Sequence, residues 1–208
     1  AKIARECGII TVGVVTKPWR FEGKRRMDTA LKGIEELQQY VDGLIVIPND
    51  RLLVIGPKNA MLNEMLKKAD DVLFVAVRAL TDLITKPAII NADFADVSTI
   101  MGYHGIALMG EGRASGENRA LVAAQSALTS PLLDDVTISG SKGIIVNLTA
   151  NEEVSMGEID EAASYIEEAA RSTGGDDPEI ILTMNIDESC GDEIRITVIA
   201  TGIDPTKK

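Results

Sequence analysis

Two short, almost uninterrupted apolar runs, "IITVGVV" at 9–15 and "LIVI" at 44–47, flank a stretch whose apolar positions recur every three or four residues. Runs of this kind predict strands buried on both faces. Between them, "RRMDTALKGIEELQQYV" places Met27, Ala30, Leu31, Ile34, Leu37 and Val41 at helical spacing. Strand, helix and strand at this length predict a βαβ unit with a parallel sheet.

From Met61 to Ile84 the helical period continues without a break, with Met61, Met65, Leu66, Ala69, Leu73, Ala76, Val77, Leu80 and Ile84 on one face. Such a helix would be roughly 35 Å long and would bridge two subdomains; Pro87 is expected to end it. Alternation then resumes. The pattern predicts a strand at "GIALM" (105–109), a helix from Glu117 to about Thr129, a strand at "GIIVNLT" (143–149), and a helix with Ile159, Ala162, Ala163, Ile166 and Ala170 on one face. "TGGDDP" (173–178) reads as a loop, and two final strands, 180–186 and 194–200, flank the polar "DESCGDE", which reads as a hairpin turn. These elements predict an α/β chain whose second half is a mixed sheet covered by two helices. At the other end, "AKIARECG" reads as the last turns of a helix stopped by Gly8, so the chain is expected to begin inside an element.

Composition narrows the function classes. The chain has 208 residues and a formal net charge of −11, which argues against a general nucleic-acid binder. Its 45% hydrophobic content supplies a full core, and the 3% aromatic share makes that core aliphatic. Cys7 and Cys190 form no CxxC pair, so neither a disulfide framework nor a zinc site is expected, as suits a reducing cytoplasm. No apolar run approaches the roughly 20 residues that span a bilayer, so a soluble cytoplasmic protein is expected.

Against this acidic background, Lys17, Arg20, Lys24, Arg25 and Arg26 crowd into "KPWRFEGKRRM" directly after a buried strand. Ligands of open α/β sheets bind at the carboxyl ends of strands, so a phosphate ligand is one reading. A solvated helix start with a Glu22–Arg26 ion pair is the other, and spacing alone favours it. "IPND" (47–50) ends the second strand with Asn49 and Asp50, either as a turn or as polar contacts for a ligand base. "MGEGRASGENR" approximates GxGxxG through Gly110, Gly112 and Gly116, but the spacing is one residue too long and Glu111 would repel a pyrophosphate; a structural turn is expected. His104, with no matched carboxylate or nucleophile, reads as a loop or packing residue. In "IINADFADV", Asp93 and Asp96 lie three apart with Phe94 and Val97 turned inward. Spacing alone favours helix capping; the alternative is a carboxylate pair that orients water or a cation.

Taken together and in order, "VVTKPWRFEGKRRM", "IPNDRLL", "ADDVL", "INADFADV", "GEGRASGENRALVAAQSALTSPLL" and "DEIRITVIATG" resemble the FtsZ family of bacterial, tubulin-related cell-division GTPases. The resemblance covers essentially the whole chain. It implies the C-terminal part of a tubulin-like GTPase domain (1–58), a central helix (59–87), an α+β domain with a mixed four-stranded sheet and the catalytic loop (88–203), and the start of a flexible tail (204–208). The family's glycine-rich phosphate loop, GGGTGTG, would lie just ahead of "AKIARECG". Glu22 and Arg26 match the pair that contacts ribose and phosphate of GTP or GDP. Asn49 matches a position near the guanine and Asp70 the residue that bonds its edge, whereas Leu66 stands where the family commonly has an aromatic to stack on the base. Asn91, Asp93 and Asp96 match the catalytic loop, which in the family reaches the GTP of the next subunit in a head-to-tail filament, with Mg²⁺ accompanying the triphosphate and no protein metal site.

The resemblance further implies self-association, location at the mid-cell division ring, and regulators and membrane tethers recruited through a C-terminal tail. A second possibility is an assembly piece without activity of its own that caps filaments. A third is an unrelated α/β enzyme using the glycines at 110–116, which would require dinucleotide binding.

Overall fold

The computed structural model describes residues 1–55, 61–85, 89–103, 106–133, 138–171 and 177–203. A short helix α1 (Lys2–Glu6) ends at Gly8, whose φ of 70° is a left-handed value that suits glycine. Then come β1 (Val12–Lys17), α2 (Lys24–Gln38), β2 (Gly43–Pro48), α3 (Asn49–Ile55), α4 (Leu62–Thr85) and α5 (Phe94–Met101). The second half contains β3 (Ile106–Ser115), α6 (Arg119–Leu128), β4 (Gly143–Ala150), α7 (Met156–Ala170), β5 (Glu179–Ile186) and β6 (Glu193–Ile203). Among the described residues no helix is long and apolar enough to cross a membrane.

All six strands join one mixed sheet in the order β1-β2-β3-β6-β4-β5. β1 pairs in parallel with β2, as the βαβ pattern predicts, and Ile45 of β2 meets Ala107 of β3, again in parallel. β6 runs antiparallel between β3 and β4, and β4 pairs in parallel with β5.

Side chains of a strand alternate between faces, and the core divides accordingly. Ile144, Val146 and Leu148 of β4, with Ile194, Ile196 and Val198 of β6, pack against Ala120, Ala123, Ala124 and Ala127 of α6 and Ile159, Ala162 and Ile166 of α7. Ile145 and Ile199 point the other way, into a second cluster with Ile45, Ile47, Met65, Ala69 and Ala76, and with Val97, Ile100 and Met101 of α5.

Three expectations are corrected. Strands β5 and β6 do not form a hairpin. Asp187, just after β5, donates its N–H to the Ala150 carbonyl at 2.8 Å, so the chain steps across the end of β4 through a 3-10 turn (Glu188–Cys190) and enters the sheet on β4's other side. The third strand is longer than "GIALM". It runs on to Ser115, so Gly110 and Gly112 are strand residues and only Gly116, with φ of 84°, makes the turn into α6. They are glycines because α6 lies directly on them: a Cβ on Gly110 would sit 2.1 Å from the Ala127 carbonyl oxygen, and one on Gly112 2.0 Å from that of Ala123.

The third correction concerns α4. Met65, Ala69 and Ala76 of its expected apolar face are buried, but Met61, Leu66 and Val77 are exposed. His104, Pro87 and residues 173–176 of the expected loop lie outside the described residues.

Candidate functional site: a cleft at the strand ends and a distant aspartate turn

Because β1 and β2 are parallel, their carboxyl ends meet at one edge of the sheet, and the segments leaving the two strands are brought together there. β1 leads to Pro18, Trp19 and a 3-10 turn (Arg20–Glu22) before α2; β2 leads directly into α3 at Asn49. These segments and the first turns of α4 enclose a cleft of about 770 Å³, lined by residues that include Trp19, Glu22, Arg25, Arg26, Asn49 and Leu66.

Glu22 is held from two sides. Its Oε1 accepts the Trp19 N–H at 2.9 Å, and its Oε2 lies 2.9 Å from the Arg26 guanidinium. The ion pair expected from spacing is therefore present, but its arginine is 71% exposed against 17% for the glutamate. An exposed pair of this kind contributes little to stability, so Arg26 can turn to an anion in the cleft at small cost. Arg25 lines the cleft as well. Arg20 is engaged elsewhere, pairing with Asp50 at 3.3 Å.

Two polar atoms at the cleft, Trp19 Nε1 and Asn49 Oδ1, are buried without a hydrogen-bond partner among the described residues. Each such atom costs on the order of 1–3 kcal/mol unless something completes it. A ligand bearing both donors and acceptors and an anionic group fits this set: amide and indole within, carboxylate beside, guanidinium groups at the rim.

The structure brings three of the four expected ligand residues, Glu22, Arg26 and Asn49, to one cleft. Asp70 is exposed, one helical turn beyond Leu66, and is not among its lining residues. Trp19 was not singled out by the sequence patterns, although its position as the only tryptophan, two residues past β1, marks it.

The aspartates sit elsewhere. Asp93 is the N-cap of α5: its Oδ1 accepts the Asp96 N–H at 2.8 Å, and Asp96 Oδ2 accepts the Asp93 N–H at 3.3 Å. This reciprocal arrangement is a capping box, so the structural role favoured by spacing is present. Both carboxylates, and Asn91, are nonetheless exposed.

The aspartates lie far from the cleft of the same chain. Leu66 lines the cleft near the start of α4, and the helix runs on for roughly 28 Å before ending at Thr85. Met101, at the end of α5, packs on Gly43, the first residue of β2, whereas the cleft is at β2's last. Among the described residues no group of three or more His, Cys, Asp or Glu is placed to hold a metal ion.

One charge cluster, built around a buried arginine, supports the fold rather than the cleft. Arg119, 7% exposed, starts α6 and lies 2.7 Å from both Glu158 and Asp192. The Arg119 hydrogen bond, assisted by the Ser155 cap, holds the Glu158 carboxyl down at about 2. The cluster ties the starts of α6 and α7 to the turn before β6.

Residues 1–57 match the model of the tubulin/FtsZ family GTPase domain and residues 105–204 that of the FtsZ family C-terminal domain. Cell division protein FtsZ of Coxiella burnetii is 47% identical over 203 residues, which are 98% of this chain and 52% of that protein. The Pseudomonas putida protein of the same name is 48% identical over 98% of this chain and 50% of its own length. The chain thus spans about half the length of the curated relatives it matches.

Among solved structures, the empty FtsZ dimer of M. jannaschii superposes with a TM-score of 0.90 at 39% identity, covering 98% of this chain and 57% of that one. CetZ1 from Haloferax volcanii, a GDP-bound monomer, shares the fold at a TM-score of 0.77 and 15% identity, covering 99% of this chain and 59% of that one. Matching family models at both ends, with relatives and solved structures that cover nearly all of it, the chain belongs to the FtsZ family of tubulin-like cell-division proteins.

Proposed function

We propose that this chain supplies two separate parts of a GTP-hydrolysing, filament-forming machine: one side of a guanine-nucleotide cleft and an aspartate turn that acts on the nucleotide of a neighbouring subunit. The observation that carries this reading is the separation of the turn from the cleft. Asp93 and Asp96 are exposed carboxylates at the far end of α4 from their own cleft, so a substrate for them has to arrive on another molecule. A contact from one end of a subunit to the opposite end of the next is heterologous and extends into a filament.

In the cleft, Glu22 would accept the ribose hydroxyls, Arg26 and Arg25 would meet phosphate oxygens, and Asn49 would bond the base edge. Asp70 belongs to this set only if nucleotide binding draws it inward. Mg²⁺ would arrive with the triphosphate and neutralise its charge. From the neighbour, Asp93 and Asp96 would orient the attacking water, with Asn91 beside them. The empty FtsZ dimer of M. jannaschii supports self-association.

A second reading concerns the chain by itself. Its 208 residues contain no glycine-rich phosphate loop, and Gly110 and Gly112 are committed to packing α6. Without such a loop's backbone amides the phosphates lack their main cradle. The isolated chain would then bind GTP weakly, turn over essentially none, and cap filaments through its aspartate end. Turnover decides the matter. In a full-length protein carrying this chain, Asp96→Asn should keep GTP binding and lose hydrolysis; hydrolysis at the parent rate would refute the assignment.

A further inference from the structure

β5 ends the sheet, paired along one edge with β4, and among the described residues its other edge carries the approach to the aspartate turn. Ahead of the turn, the Ile89 N–H donates to the Met184 carbonyl at 3.0 Å, and the Met184 N–H donates to the Ile90 carbonyl at 3.0 Å. This isolated antiparallel bridge ends one residue before Asn91. Behind the turn, after α5, the Tyr103 hydroxyl donates to Glu179 Oε2, the first residue of β5, at 2.9 Å.

The two attachments differ in kind. The Met184 bridge is made of backbone and centred on a residue that is 2% exposed, so it fixes the approach to the turn regardless of side chain. The Tyr103 attachment depends on side chains. Its ring lies over Gly143 at the start of β4, where a Cβ would be 2.9 Å from the ring, so packing sets the ring's place and the hydroxyl reaches β5 from there. Between these points, Thr201 of β6 donates its hydroxyl to the Ile100 carbonyl at 2.8 Å, holding the last turn of α5 on the sheet. A helix of eight residues fixed at both ends on one strand cannot shift its N-terminus without breaking one of the attachments.

We propose that edge strand β5 sets the position of the aspartate turn through a two-point mount, the Met184 bridge and the Tyr103–Glu179 hydrogen bond, and that Tyr103 and Glu179 are positioning residues for hydrolysis on the neighbouring subunit. The consequence for hydrolysis rests on the function proposed above; the mount itself does not. Small displacements of a reacting group are costly in rate, so loosening one attachment lowers turnover while leaving the nucleotide cleft, at the other end of α4, untouched.

The test uses a full-length protein carrying this chain, with hydrogen exchange and GTP turnover measured on the same samples. Tyr103→Phe keeps the ring and removes the donor. It should speed exchange at the Asp96 and Val97 amides roughly fivefold and lower kcat roughly tenfold at unchanged KM. Glu179→Gln, whose amide oxygen still accepts from the phenol, should stay close to the parent in both measurements, and Glu179→Ala should match Tyr103→Phe. Unchanged exchange in Tyr103→Phe, or Glu179→Gln as impaired as Glu179→Ala, overturns the mount. If exchange responds as expected while the parent hydrolyses no GTP, the mount stands and the functional reading falls.

Discussion

Asp93 and Asp96 accept each other's backbone N–H, at 2.8 Å onto Asp93 and 3.3 Å onto Asp96, so the two carboxylates proposed for chemistry also start the helix that carries them. Alanine at either position therefore mixes two losses. Asp93→Ala should lower stability by about 1 kcal/mol through the lost cap, whereas Asp93→Asn should leave stability nearly unchanged because asparagine caps equally well. Thermal or urea unfolding of the two variants checks this, and equal losses in both would place Asp93's importance outside the cap.

The cleft contains the chain's single tryptophan, which makes binding directly visible. Trp19 is 5% exposed and stacks on Phe21 with ring centroids 5.5 Å apart. In a full-length protein carrying this chain, GTP or GDP should change Trp19 emission in a saturable way, and Arg26→Ala should weaken that response roughly tenfold or more, as expected for a lost charge-assisted phosphate contact. Emission that ignores guanine nucleotide would remove the cleft from the nucleotide site.

Acid should withdraw the stabilisation that the Arg119 cluster gives the second half of the chain. The hydrogen bond and charge of Arg119 depress the Glu158 carboxyl to about 2, below its ordinary value. A depressed carboxyl stabilises the fold above its unfolded pKa, and that contribution disappears as pH falls through the window from about 4.5 towards 2. Glu158→Gln should cost on the order of 2 kcal/mol at pH 7, as for a lost hydrogen bond between charged groups, and flatten the pH dependence of stability across that window. Urea unfolding of parent and variant between pH 7 and pH 3 measures both effects.

Gly112 has no room for a methyl group, since the atoms a Cβ would meet are backbone: the Ala123 oxygen at 2.0 Å and the Ala127 nitrogen at 2.4 Å. Gly112→Ala must lift α6 from the sheet and should cost about 3 kcal/mol or more. Gly33→Ala, on α2 with nothing within 4 Å, should instead leave stability unchanged or raise it slightly. Paired unfolding curves compare the two.

Legibility in the sequence followed the range of the interaction. The βαβ unit and α7 were readable because the helical period is local, as is the capping box that Ser155 and Glu158 make at the start of α7. The partner of β6 was not, because "DESCGDE" looks locally like a hairpin turn and only the Asp187–Ala150 hydrogen bond, between distant residues, carries the chain past β4. Gly110 and Gly112 misled for a related reason: a glycine that admits a helix backbone looks in sequence like one that makes a turn. In the cleft, spacing alone left Glu22, Arg26 and Asn49 as a helix-start ion pair and a turn residue, and only the family resemblance marked them as ligand residues. Trp19, an aromatic among basic residues, carried no chemical pattern of its own until the fold placed it there.

The central claim, that the aspartates serve another subunit's nucleotide, is tested most directly by mixing two defective full-length proteins carrying this chain. Asp96→Asn keeps the cleft and loses the charge of the turn; Arg26→Ala keeps the turn and impairs the cleft. Each alone should hydrolyse little GTP. Mixed in equal amounts, about a quarter of head-to-tail contacts join an intact turn to an intact cleft, and GTP turnover should recover towards that fraction of the parent rate. Turnover in the mixture no higher than the mean of the two separate proteins would contradict the account.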